Sequence, residues 1–186
     1  EKALDRIEEN AVISSWHDSW TASGKDPKYH DYLRIPDHGA YKYKITKPFQ
    51  GDPDKIFKRI YAIGGIKGYY FMDWAWRFRG LIDRLIGGVG LRRGRTCRAM
   101  IKPGDTIDFW RVLQVDKKHR VLKLYAEMKL PGEAWLEFQV HESSVDQTAT
   151  FRPKGVLGRL YWWILYPIHL ILFPGMLSKI LKNRSL

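Results

Sequence analysis

Between Ile107 and Phe151 the apolar residues recur at every second position, and the links between the runs are only long enough for hairpins. Ile107, Phe109, Leu113 and Val115 fall on one face of a first strand, and Leu122, Leu124, Ala126 and Met128 on one face of a second. Ala134, Leu136, Phe138 and Val140 make a third, while Ala149 and Phe151 mark a fourth. A period of two is that of a half-buried strand. Asp116–His119, Leu130–Glu133 and Glu142–Asp146 carry the turn residues between them. The segment therefore predicts an antiparallel meander with one apolar face, and that face needs a cover. Val156–Leu181 is the candidate: Leu157, Leu160, Ile164, Ile168, Leu172, Met176 and Ile180 form a helical stripe facing the sheet. Pro167 and Pro174 are expected to kink or break it.

Upstream, Tyr41–Thr46 alternates lysines against Tyr41, Tyr43 and Ile45 and predicts a further strand. Asp52 supplies an N-cap, Pro53 fits the first helical position, and Ile56, Ile60 and Ile63 give the stripe of a helix stopped at Gly64-Gly65. A second helix is expected from about Asp73 to Ile86, with Trp74, Phe78, Leu81, Ile82 and Leu85 as its apolar face and Gly87-Gly88 and Gly90 ending it. Residues 1–40 are polar and turn-rich and read as a connector with a short helix near Ala3. Residues 41–186 read as one domain.

The net charge of +12 is unevenly placed. Residues 1–37 carry eight acids against five bases, and no acid follows Asp146. Such asymmetry favours an anionic partner without identifying it. The single Cys97 excludes an internal disulfide framework. No charged-then-apolar leader follows Glu1, and a cytoplasmic location is expected. Leu160–Leu177 is long enough and uncharged enough to consider a membrane, with Trp162 and Trp163 beside it. The two prolines, His169 and the sheet's need for a cover favour a buried helix. Membrane association through this segment is the alternative.

Arg111 shares its predicted face with Ile107, Phe109, Leu113 and Val115. A guanidinium on an inward face needs partners, so Arg111 is the leading candidate to grip a ligand carboxylate or phosphate. The alternatives are an ion pair with Asp83 or Glu127, or a bulge that turns Arg111 outward. His169 lies inside the apolar C-terminal run as a second polar candidate and as a weak candidate catalytic base. Trp74, Phe109, Phe138 and Trp162 are the expected walls of a pocket. Arg92, Arg93 and Arg95, beside a glycine cluster, are a possible anion contact or a solvated helix stop. Trp110, Tyr125 and Trp135 fall on the opposite face of the sheet and suit an interface. The histidines show no metal-site spacing, and no metal is expected. No catalytic constellation is present. Gly88-Val89-Gly90 follows a helix and leads into Leu91-Arg92-Arg93, so NAD(P) is not expected on this chain alone. No recognised nucleic-acid motif accompanies the arginines.

The order of strand, two helices, antiparallel sheet and long helix resembles the helix-grip arrangement of the START-like, polyketide-cyclase-like superfamily. That α+β class wraps a bent antiparallel sheet around a long C-terminal helix and often leaves an apolar cavity. GGVGLRRGR, GDTIDFWRV, AEMKLPGEAWLEF, FRPKGVLGRLYWW and PIHLILFPGM resemble an uncharacterised bacterial domain family. It is found C-terminal to NAD(P)-binding, atypical short-chain-dehydrogenase-like domains. The resemblance spans about Tyr41 to Ile180, and Ala3–Ser19 resembles the joining tail. It implies that any NAD(P) sits on a partner domain. The expected function is binding of a hydrophobic or amphipathic small molecule, acidic ones included, accessory to an oxidoreductase-like partner. The alternatives are a module that docks a nucleotide-binding domain or a second copy, and a cyclase- or hydrolase-like enzyme.

Overall fold

The computed structural model describes residues 35–36, 38–64, 67–88, 90 and 101–182. The expected helix near Ala3 and the Arg92, Arg93 and Arg95 cluster lie outside the described residues. Strand β1 (Tyr41–Pro48) is followed by helices α1 (Pro53–Tyr61) and α2 (Asp73–Leu85). Then come β2 (Thr106–Ile107), β3 (Trp110–Asp116), β4 (Val121–Ala126), β5 (Gly132–Val140) and β6 (Ser144–Pro153). Helix α3 (Gly155–Lys182) closes the order. The six strands form one sheet in the order β1-β6-β5-β4-β3-β2, every neighbouring pair antiparallel. This is the helix-grip α+β architecture, with a long C-terminal helix over an open antiparallel sheet and two shorter helices.

Helix α1 starts where its capping residues dictate. The Asp52 carboxylate accepts the Asp54 amide at 2.8 Å, and Pro53 opens the helix. Ile56, Phe57 and Ile60 bury the apolar side. The sheet's inner face is built from cross-strand rows, because directly paired residues point the same way. One row is Val112, Leu124, Leu136, Ala149 and Tyr43; the next is Val115, Leu122, Phe138, Gln147 and Ile45. The C-terminal half of α3 buries Leu172, Phe173, Met176, Leu177 and Ile180 in the same core as α1.

Two of the three expected helix faces are reversed in part. In α2 the buried residues are Trp76, Gly80 and Asp83. The expected stripe points outward, with Trp74 67% and Leu85 78% exposed. In α3 the expected stripe is buried only from Leu172 onward. Leu157, Leu160, Ile164 and Ile168 are exposed, while Gly158, Trp162 and the half-buried His169 turn toward the sheet. Helix α3 carries apolar residues around most of its circumference, so periodicity alone does not choose its packing face, whereas α2 has one apolar-rich side and turns it outward. The chain also stays helical through Pro167 and Pro174. Lys47 and the Ser178 hydroxyl both donate to the Pro174 carbonyl, at 3.1 and 2.6 Å.

Candidate functional site

Only the C-terminal half of α3 packs down fully, and α2 lies apart from its N-terminal half. Between them and the inner face of the sheet is a pocket of about 410 Å³. Its floor includes Ala134, Leu136, Ala149 and Phe151, and Trp110 and Met128 continue it toward the β3 side. Met72, Trp74, Trp76, Phe78, Arg79 and Ile82 line it from the α2 side. Tyr161, Trp162, Leu165, Ile168, His169, Ile171, Leu172 and Phe173 line it from α3. The small side chains of Ala134 and Ala149 leave room that a larger residue would fill.

A continuous aromatic wall runs through this site. Tyr69 stacks on Trp76 at 4.4 Å, Trp76 lies against Phe173, and Phe173 stacks on His169 at 4.9 Å. Trp162 follows at 5.6 Å from His169 and stacks between Tyr41 and Phe151. Two polar atoms in this wall are buried without a hydrogen-bond partner, the Trp76 indole nitrogen and His169 Nδ1. A buried polar group without a partner is costly, and both residues line the pocket. Burial pushes His169 down to about 4, so its ring is neutral at physiological pH. Among the described residues the one cation lining the pocket is Arg79, half-buried beside Tyr161, whose phenol is pushed up by burial.

Helix α2 is held over the pocket from its far end. The fully buried Asp83 carboxylate accepts the Gly90 amide at 2.8 Å and the Lys129 amide at 2.7 Å. Gly88 passes so close that a Cβ there would collide with this carboxylate. At the helix start, Tyr70 and Met72 adopt positive φ (64° and 50°). Left-handed backbone at non-glycine residues is strained and tends to collect where a segment has to be aimed. Met72 itself lines the pocket.

The sequence-predicted candidates separate into distinct groups. His169, Trp74 and Trp162 line the pocket. Phe109 does not; it is fully buried behind the wall, stacked on Tyr69 and Trp76. Phe138 is fully buried in the core row beyond the pocket. Arg111 lies on the opposite face from that expected. It pairs across the sheet with Thr106 and Tyr125, whereas Trp110 pairs with Ala126 on the inner side. The phase breaks because β2 and β3 turn at Asp108 and a bulge falls between Val112 and Gln114, after Arg111 rather than before it. Arg111 is 0% exposed and does not line the pocket. Its Nε donates to Glu127 Oε1 at 2.7 Å, Nη2 to Oε2 at 3.2 Å, and Nη1 to the Gly104 carbonyl. The expected aromatic platform is likewise absent. Trp110 lines the pocket, while Tyr125 and Trp135 share the outer face but are buried, and Trp135 also borders the pocket.

Sequence reasoning missed Arg79, Tyr161 and Trp76. A signal existed in α2: Trp76, Arg79, Gly80 and Asp83 recur at helical spacing and contain the helix's one glycine, a residue suited to close packing. Among the described residues no cluster of three or more His, Cys, Asp or Glu side chains is arranged to hold a metal.

Residues 40–176 match the family described as "Protein of unknown function (DUF2867)". The chain belongs to the DUF2867 family. No curated protein shows significant similarity to this DUF2867 chain. Among solved structures, it is similar to Ara h 8.0201 at 13% identity and a TM-score of 0.42, over 78% of this chain and 100% of that one. It is also similar to norcoclaurine synthase from Thalictrum flavum, in complex with dopamine and hydroxybenzaldehyde. That likeness is at 12% identity and a TM-score of 0.41, over 79% of this chain and 90% of the synthase.

Proposed function

We propose that this domain binds a hydrophobic or amphipathic small molecule between the sheet, α2 and α3. The observation that carries the reading is the pocket itself: about 410 Å³, lined almost wholly by aliphatic and aromatic side chains, with a few convergent polar groups. That is the usual character of a small-molecule site. The apolar body of the ligand lies on Ala134, Ala149, Trp162 and Phe173. A neutral hydroxyl or carbonyl group meets the Trp76 N–H and His169, and an acidic group, where present, meets Arg79. Arg111 has no part in this, because its guanidinium is already committed to Glu127. The motifs that resemble a domain following NAD(P)-binding partners support an accessory role to an oxidoreductase-like protein.

Filling the pocket tests the reading directly. Native mass spectrometry of the purified chain detects any retained ligand, and titration with anilinonaphthalene sulfonate, an apolar anion, measures the site. Ala149→Phe should weaken binding of this probe at least about tenfold while leaving the fold intact, and Arg79→Met about tenfold through loss of one charge-assisted contact. Probe binding that is indifferent to Ala149→Phe, in a folded chain that retains no ligand, would overturn the proposal.

A further inference from the structure

Among the described residues, every exposed large apolar side chain falls in two segments, residues 74–86 and 156–171. They form the outward sides of α2 and of the N-terminal half of α3. Water-exposed apolar patches of this extent mark contact surfaces. Trp74, Phe78, Ile82, Ile168 and Ile171 are exposed and also line the pocket, so the apolar surface and the pocket mouth are one continuous feature.

The exposed charges within this surface are mostly cationic, with Asp73 at the start of α2 as its one exposed carboxylate among the described residues. Arg77 sits one turn from Trp74 and Leu81, and Arg84 lies one turn from Leu81. Arg159 sits one turn from Val156 and Trp163, with Lys154 just before the helix. All four cations are exposed. Among the described residues none of the four has a carboxylate partner. The carboxylates of α2 are engaged elsewhere, Asp73 on the Tyr69 amide and Asp83 on the Gly90 and Lys129 amides. No acid occurs in α3 or after it.

We infer that the outward side of α2 and α3 docks on an anionic lipid bilayer, with the pocket mouth facing the membrane. Apolar residues enter the headgroup boundary, Trp74 and Trp163 sit at the interface, and the four cations meet acidic headgroups. A second copy of the chain fits less well, because its own four cations would oppose these. The orientation is peripheral rather than spanning. Helix α3 is long and apolar enough to cross a bilayer, but Trp162 and the run from Leu172 to Ile180 are held against the sheet and α1. Arg59 also donates to the carbonyls of Ile180 and Leu181. The placement deepens the pocket reading, on which only this clause rests: an apolar ligand would pass between bilayer and pocket without crossing water.

Co-sedimentation with vesicles of phosphatidylcholine, with and without phosphatidylserine, tests the docking. The full chain should bind the phosphatidylserine vesicles at least about tenfold more strongly, and added salt should remove that difference. Arg77→Glu with Arg159→Glu should abolish the preference, and Leu85→Ser with Leu160→Ser should weaken binding to both vesicle types. Anilinonaphthalene sulfonate binding in the pocket should survive both pairs of substitutions, which separates failure of docking from failure of the pocket. Equal or absent partition onto both vesicle types overturns the inference. So does light scattering that shows a dimer which Leu85→Ser with Leu160→Ser converts to monomer, since the surface would then join two chains.

Discussion

Arg111 and His169 are both polar groups in apolar surroundings, and the structure resolves them in opposite ways. Arg111 is matched by a two-pronged carboxylate on the adjacent strand end and by a backbone carbonyl. Arg111→Ala would leave Glu127 buried without its cation, at a cost of about 3–5 kcal/mol measured by denaturant unfolding. Pocket binding in whatever folded protein remains should be unchanged. His169 has no partner for Nδ1, and burial lowers it from 6.5 to about 4. The unfolded chain takes up this proton as pH falls through 6.5, whereas the folded chain resists until about 4. Stability from the neutral ring is therefore present above pH 6.5 and lost as pH falls from 6.5 toward 4. His169→Leu should remove that slope, shifting the stability difference from the parent chain by roughly 3 kcal/mol in the variant's favour in chemical unfolding from pH 6.5 down to 4. Sequence reading named the Arg111–Glu127 pair as an alternative, but a period-two pattern carries no mark for the bulge after Val112. The face was lost there.

The start of helix α1 was legible to the residue because its signals are local, Asp52, Pro53 and the Ile56–Ile60 spacing acting within one turn, while the helix ends at Tyr61, short of the expected stop at Gly64-Gly65. Helix α2 was legible in extent but not in orientation. Its outward side is richer in large apolar residues than the side that packs, which presents Trp76, Gly80 and Asp83. What orients it is a tertiary tie, the Asp83 carboxylate on the Gly90 and Lys129 amides. Asp83→Ala would strand one buried and one part-buried donor at a cost of roughly 1–3 kcal/mol. Hydrogen exchange should then rise first at the Gly90 and Lys129 amides and along α2, before the amides paired between β5 and β6. Protection lost uniformly across the sheet would show instead that α2 and the sheet open as one unit.

At the scale of the molecule, the pocket and the surface around it have a common origin. Helix α3 packs fully only where Leu172, Phe173, Met176, Leu177 and Ile180 meet the sheet and α1. Toward its N-terminus, small side chains on the sheet floor and the separation of α2 leave a cavity whose rim is apolar and unpaired. The amino-acid sequence by itself determined the elements, the antiparallel meander, the need for a covering helix and, through His169, Trp74 and Trp162, part of the pocket lining. Those features follow from local spacing and from the burial that spacing demands. Only the tertiary structure decided which side of each helix turns inward, on which face Arg111 lies, and that Arg79 lines the pocket while Arg111 does not. The physical reason is the same in each case. A sequence pattern states which side chains share a face, whereas the inward choice depends on strand register, on one bulge, and on polar ties between residues far apart in the chain.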